Sequence, residues 1–340
     1  MKGLWFVLLA TTSGTVQPAI AQDSPADSIR MITFEAIAAT IDQAFFDPNH
    51  LGVDWDAVRD QYRIRVEEVR DETEFRRLMV RMLDEIPASH LDLLYIPAGQ
   101  DPEPPSEPME PSLSWRKVDD AWVVRSRTFG ALDPMRIDSL LYEISEARGV
   151  ILDVRGNEGG DSSFLELAGR FFDGPQVVAG LVTRGWLAQR DHPLDRPVPL
   201  DSLPVLVEDY RVERLFEILG ASGAVALAAG GEEPAYRGCL AVLIDAKTGS
   251  AAEAFVLIMD RFTPAVLIGG TTAGALLSSE VFPLPNGWRI RVPVAVGVDD
   301  SGRIAWDVPI APEITIDASA AGDPALTEAL RVVESCELRG

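Results

Sequence analysis

Lysine is almost missing from this chain. After Lys2 only Lys117 and Lys247 occur, so chemistry that needs an amine base has few candidates. Histidine is as scarce, with three residues, and cysteine scarcer, with Cys239 and Cys336 alone. No Cys/His cluster has ligand spacing, which argues against a zinc site and leaves no metal expected. Basic charge is short overall. Thirty Lys and Arg stand against 53 Asp and Glu, a formal net charge of −23. Such an excess repels phosphate backbones and anionic lipid, so nucleic acid and membrane surfaces are poor partners, and the charge reads as solubility. No apolar run reaches the roughly 20 residues needed to span a bilayer. The run Leu4–Ala10 is shorter; it follows Lys2 and precedes Ala19-Ile20-Ala21. A charged start, a short apolar core and an A-x-A end predict a signal peptide over residues 1–21. The product is then exported, periplasmic or secreted, with no membrane insertion after cleavage. Two cysteines fit an oxidising compartment. If they pair, the closed loop stabilises by roughly 4–5 kcal/mol in the chain-entropy model; two separate buried thiols are the alternative.

What is present is enough apolar sequence for one large domain or two. Residues 33–85 carry three amphipathic stripes: Phe34, Ile37, Ile41 and Phe45; then Trp55, Val58, Tyr62 and Val66; then Phe75, Leu78, Met79 and Met82. Asp54 caps the second, and Asp71 with Glu74 has capping-box spacing for the third. Pro87-Ala88-Ser89-His90 ends this unit, and a strand follows from Leu91 to Ile96. The divisions read as an N-terminal cap over 22–96, an acidic proline-rich linker over 97–112, a core over 113–320 and a C-terminal helix over 321–340. In the core, apolar strands such as Val150–Val154 and Leu240–Ile244 alternate with helical stretches. That pattern predicts a mostly parallel sheet covered on both faces. Leu215–Leu227 reads as helical, and Pro285-Asn286-Gly287 as a hairpin turn.

The chain is organised around Lys247-Thr-Gly-Ser-Ala-Ala-Glu253, which follows the Leu240–Ile244 strand and opens a helix. Ser250 therefore sits where free N–H groups and the positive end of a helix dipole gather. Serine there is a helix cap on its own residues, or a nucleophile beside an oxyanion hole. A second turn, Arg155-Gly-Asn-Glu-Gly-Gly160, follows another apolar strand. One N–H from its Gly159-Gly160 corner and one from Ala251 would make such a hole.

These stretches resemble, in order, motifs of the C-terminal-processing (tail-specific) peptidase family, which includes the tricorn protease core. They are Val150–Gly160, Thr248–Glu253, Gly269-Gly-Thr-Thr-Ala-Gly274, Leu284–Gly287 and Pro309–Glu313, preceded by the helical start with Ser89-His90. The resemblance covers about residues 30–318. It implies an α/β fold: a crotonase/ClpP-like core with a parallel-rich sheet, behind a small three-helix cap. It implies an exported serine peptidase acting on peptides or unfolded chains through an acyl-enzyme, without a cofactor.

One branch of the family uses a lysine after the nucleophile, but the matching position holds Ala275. The tricorn-like branch uses a Ser-His pair after the helices. By resemblance Ser250 is the nucleophile, His90 the base, and Ser89 the residue that orients its imidazole. The branch's supporting glutamate matches Trp306, so Asp307 beside it is the expected substitute. The family's glycines near that loop are replaced by Asp307 and Pro309. No room exists between cap and core for a PDZ domain. Two alternatives stay open: a binding protein on the same scaffold, like the retinoid-binding proteins, and a crotonase-like acyl-thioester enzyme, against which the export signal argues.

Overall fold

A computed structural model describes residues 25–95, 111–130, 132–231, 236–304, 307–317 and 321–336. The expected signal peptide, nearly all of the linker and Trp306 lie outside these residues.

Three helices come first: α1 (Pro25–Ala44), α2 (Trp55–Glu67) and α3 (Glu72–Leu83). Asp54 accepts the Ala57 N–H and Asp71 the Glu74 N–H, so both expected caps form. The apolar stripes face inward, with Phe34, Ile41, Phe45, Phe75 and Met79 fully buried. Strand β1 (Asp92–Tyr95) follows Ser89-His90. The next elements are β2 (Leu113–Val118), β3 (Ala121–Ser126), α4 (Pro134–Ile144), β4 (Gly149–Asp153) and α5 (Phe164–Ala168). Then come β5 (Gln176–Thr183), α6 (Arg184–Gln189), β6 (Val205–Leu206), α7 (Val212–Ser222) and β7 (Ala224–Ala229). The chain continues through β8 (Cys239–Ile244), α8 (Ala251–Phe262), β9 (Val266–Gly269), β10 (Ser278–Pro283), β11 (Trp288–Asp299), β12 (Ile314–Thr315) and α9 (Pro324–Ser335).

The stretch expected as one helix over 215–227 divides at Gly223. That residue adopts φ 74°, and its N–H closes α7 onto Leu219. Glycine takes this left-handed cap without penalty. Beyond it, Ala224–Ala229 is buried at every position, and an apolar run buried on both sides carries no period to distinguish strand from helix.

The strands form two six-stranded sheets. One, in the order β12-β9-β8-β4-β3-β2, is parallel except for β2. This is the parallel-rich sheet expected from sequence. The other, β1-β11-β5-β7-β6 with β10 also on β11, is antiparallel except for β6 beside β7. Helix α9 covers the outer face of the parallel-rich sheet through Ala325, Ala329 and Val333. Its inner face shares a core with α4, α5, α8 and residues Val178, Val225 and Leu227 of the second sheet. The far face of that second sheet, with Val182, Ala224, Ile290 and Val296, packs on α1–α3. The helical cap therefore has no core of its own. Its strand β1 lies in the second sheet, with Asp92 opposite Arg291 of β11. The linker marks a boundary in the chain and not in the packing.

Cys239 and Cys336 form a disulfide. It fastens the end of α9 to the first residue of β8, the strand that leads to Ser250. At its other end α9 is capped by Asp323, which also pairs with Arg155 at 2.8 Å. No described helix is long and apolar enough to cross a membrane.

Thiol titration of denatured, unreduced protein should find no free cysteine; two free thiols would contradict the bond. Cys336→Ser should cost about 2–5 kcal/mol in chemical denaturation.

Candidate active site

The serine corner is built by short-range hydrogen bonds. After the buried strand β8, Asp245 Oδ1 accepts the N–H groups of Lys247 and Thr248, each at 3.0 Å, and of Gly156 at 2.9 Å. The Thr248 hydroxyl donates to the Val154 carbonyl at 3.0 Å. These bonds lock the turn against the end of β4, an Asx-type device that suits aspartate. Ser250 then adopts φ 56° and ψ −126°. Few residues other than glycine adopt such backbone, which costs on the order of 1–3 kcal/mol. A serine on a sharp strand-to-helix corner has its hydroxyl presented away from the sheet.

The cap role expected of Ser250 falls mostly to another residue. The Ser250 N–H donates to Glu253 Oε2 at 3.2 Å, while the Glu253 N–H goes to the Ser250 carbonyl oxygen at 2.8 Å. The box is thus bonded through the Glu253 carboxylate and the Ser250 backbone. Glu253 is fully buried. Its Oε1 also accepts the Thr272 hydroxyl at 2.5 Å and the Gly274 N–H at 2.7 Å, and its Oε2 accepts the Ala275 N–H at 2.7 Å. A buried carboxylate needs such donors, because desolvation otherwise costs several kcal/mol. Sequence reasoning missed this hub. The signal was available: an acid three residues after a serine at a helix start is a capping-box spacing.

Gly159, with φ 102°, lies against Ser250, and Gly160, with φ 153°, lies against Phe129 and Gly130. A Cβ on Gly159 would stand 2.6 Å from Ser250 Cβ, and one on Gly160 2.3 Å from the Phe129 carbonyl carbon. Both approaches require glycine. Their N–H groups differ. That of Gly159 donates to Asn157 Oδ1 at 2.9 Å and is therefore turned away from the serine. Among the described residues no hydrogen bond takes the N–H of Gly160 or of Ala251, and both residues line one cleft with Ser250. Of the expected donors Gly159, Gly160 and Ala251, the N–H groups of Gly160 and Ala251 are the ones that no described hydrogen bond takes, and Gly159 is the glycine that lies against Ser250.

His90 enters the same cleft from the turn after α3. The Ser89 hydroxyl donates to Asp307 Oδ1 at 2.7 Å, the Ser89 N–H donates to Asp307 Oδ2 at 2.8 Å, and Ser89 Oγ lies 3.0 Å from His90 Nδ1. A hydroxyl has one proton. Since Ser89 gives its proton to the carboxylate, His90 Nδ1 is the donor in the third contact. The network assigns the proton to Nδ1 and leaves Nε2 with its lone pair. Burial pushes the His90 pKa below its ordinary 6.5, and the positive charge of Arg291 adds to this, against the opposing pull of Asp307, Asp92 and Glu253. Asp307 is held in turn by the Leu276 N–H at 3.0 Å. Its loop is fastened to the serine corner through Thr272, which exchanges hydrogen bonds with Ile310 and donates to Glu253. His90, Ser250 and Asp307 all have positive φ, so three strained residues meet at one site.

The cleft holds about 830 Å3. Within it no hydrogen bond joins Ser250 Oγ to His90 among the described residues; such bonds are often long in unliganded sites and tighten with substrate. Ala275 contributes only its N–H, and Lys247 and Lys117 are exposed, outside the cleft lining. Among the described residues no group of three or more His, Cys, Asp or Glu is placed to hold a metal ion.

Comparison with known proteins shows the family and the fold. The profile of peptidase family S41 matches residues 121–316, and that of the tricorn protease C1 domain residues 30–84. The tricorn protease homolog 2 of Streptomyces coelicolor is 42% identical over 62 residues, which make up 18% of this chain and 5% of that protein. The match therefore spans a small fraction of that relative's length. A solved structure from Parabacteroides merdae superposes with a TM-score of 0.63 at 18% identity, over 89% of this chain and 96% of its own. The tricorn protease gives 0.59 at 12% identity, over 92% of this chain and 37% of its own. The photosystem II D1 C-terminal processing protease gives 0.53 at 14%, over 90% and 97%. At these identities the solved structures establish the fold.

NMR of the imidazole should find His90 in the Nδ1–H form, titrating below pH 6.5. Arg291→Gln removes a charge that opposes protonation and frees Asp92, so the midpoint should rise; a fall would contradict the assignment. Glu253→Gln strands buried donors and should cost about 1–3 kcal/mol in chemical denaturation.

Proposed function

The chain belongs to peptidase family S41 and is a serine-type peptidase, and from that premise we propose that Ser250 and His90 carry its reaction. The observation that bears most weight is the Asp307–Ser89–His90 relay, which leaves a neutral imidazole facing the cleft that holds Ser250. Ser250 Oγ attacks the carbonyl carbon of the scissile peptide bond, and His90 Nε2 takes its proton. The tetrahedral oxyanion is met by the N–H groups of Gly160 and Ala251. Each such donor is worth on the order of 100-fold or more in rate. His90 then gives the proton to the leaving amine, the C–N bond breaks, and an acyl-enzyme on Ser250 remains. Water, deprotonated by His90, hydrolyses the ester and restores the serine.

Ser89 and Asp307 do not touch substrate in this scheme. They fix the tautomer, and the carboxylate stabilises the imidazolium through the Ser89 hydroxyl. Asp307 thus does the work expected of the glutamate in the tricorn-like branch. The shorter acid lies within hydrogen-bond distance of Ser89, with a φ of 42° and with Pro309 of its loop packed on Gly274. The substrates proposed are peptides or unfolded chains, the class that membership of the peptidase family implies. Export is proposed on the disulfide, which persists in oxidising compartments. No cofactor enters the scheme.

With a peptide substrate, Ser250→Ala should abolish turnover while the protein stays folded. His90→Ala should lower kcat at least about 100-fold. Asp307→Asn should lower kcat by a smaller factor with little change in KM, and Lys247→Met should keep most activity. An active His90→Ala with an inactive Lys247→Met would overturn the scheme.

A further inference from the structure

The two turns of the site are stitched together along Val154–Asn157. Thr248 Oγ donates to the Val154 carbonyl at 3.0 Å, the Gly156 N–H donates to Asp245 at 2.9 Å, and the Gly249 N–H donates to the Asn157 carbonyl at 3.0 Å. Arg155, between them, is held from elsewhere. Its guanidinium donates to both oxygens of Asp153, each at 2.9 Å, and to both oxygens of Asp323, at 2.8 and 3.0 Å. Asp153 is buried and also pairs with Arg125 at 2.7 Å. Planar two-point pairing fixes orientation as well as distance. Asp323 belongs to α9, whose first turn it caps through the Leu326 N–H at 3.0 Å.

Helix α9 carries this tie across the outer face of the sheet. Its length is roughly 18 Å at 1.5 Å per residue, from Arg155 beyond the end of β4 to the starts of β4 and β8. There Arg148 donates to the Glu334 carbonyl at 3.2 Å, and Cys336 is bonded to Cys239. Between the two ends Val333 comes so close to β4 that a Cβ on Gly149 would stand 2.7 Å from its own. A helix fastened at both ends and packed this closely follows the sheet. Released at one end, a helix near a chain terminus is among the first segments to open.

We propose that α9 positions the catalytic turns: Asp323, acting through Arg155, sets the turn that carries Gly160, and the Cys239–Cys336 bond keeps α9 in place until a dithiol reduces it. This rests on the reading of Ser250 as nucleophile and of the Gly160 N–H as an oxyanion donor. Arg155 and Asp323 do not line the cleft, so both are positioning residues. Cys239 is buried and Cys336 half-buried, which makes the Cys336 sulfur the point of attack. A thiolate of the dithiol attacks that sulfur, the S–S bond breaks and Cys239 leaves as a thiolate. The second thiol of the reductant then displaces Cys336 and closes to a disulfide. Two electrons and two protons pass to the protein, and both cysteines end as thiols.

The test compares oxidised protein, protein reduced with dithiothreitol, Asp323→Asn and Glu328→Gln. Asparagine keeps the helix cap and removes the charge. Glu328 pairs with Arg331 of the same helix and serves as the control. For each form kcat and KM are measured on one peptide, beside fluorophosphonate labelling of Ser250 and short-pulse hydrogen exchange. Reduction should lower kcat about tenfold with KM little changed, a part of the roughly 100-fold or more that a fully lost oxyanion donor costs. Reoxidation should restore the rate. Asp323→Asn should lower kcat about fivefold, the upper end of what a partly exposed ion pair is worth, and Glu328→Gln should match wild type. In both impaired forms exchange should quicken in residues 154–161 and in α9 while β5 and β7 stay protected. Unchanged kcat and exchange on reduction, with Ser250 labelled, overturns the proposal and leaves the peptidase scheme standing. Exchange that quickens equally in β5 and β7 is general loosening and overturns it too, as does a loss in Glu328→Gln equal to that in Asp323→Asn. Absence of Ser250 labelling in the oxidised wild type overturns the scheme, and the proposal with it.

Discussion

A single buried carboxylate, Glu253, holds the site together. It accepts the Ser250 N–H and so fixes the strained corner, and it accepts Thr272, Gly274 and Ala275 and so fixes the loop on the far side. Through Thr272 the same loop is tied to Ile310, and from there the chain runs back to Asp307, Ser89 and His90. Ser250 and His90 come from segments far apart in sequence. One connected hydrogen-bond network sets their relative position. Buried polar networks of this kind are rigid when every member is satisfied and costly when one is not.

Much of this was legible in the sequence. The strand-turn-helix around Ser250 and the Gly-rich turn to Gly160 announce themselves through apolar strands and small residues at corners. The three cap helices follow from their stripes and their Asp54 and Asp71 caps, both of which form. The pairing of His90 with Asp307 was not derivable from spacing; only the family resemblance suggested it. Three things were hidden. The second, antiparallel sheet depends on long-range pairing, such as β1 with β11, that no local pattern encodes. The break at Gly223 lay inside a continuous apolar run. The Gly159 and Gly160 N–H groups are bonded differently, because Asn157 accepts that of Gly159.

The departures from the family pattern have a common physical resolution. Loss of glycine at the acid loop would be expected to straighten it. Instead Asp307 takes positive φ, and Pro309 packs directly on Gly274, whose missing side chain leaves the space. Asp307 thereby stands within hydrogen-bond distance of Ser89. The absent lysine has a similar answer. At Ala275 the chain needs only its N–H, which Glu253 consumes.

The central claim is that a neutral His90, held by Ser89 and Asp307, activates Ser250. Its most direct test is the pH dependence of fluorophosphonate acylation, with the modified residue located by mass spectrometry. The account expects label on Ser250 alone, at a rate that rises through one ionisation below pH 6.5 and loses that ionisation in His90→Ala. Label on another residue, or the same profile with and without His90, would contradict it.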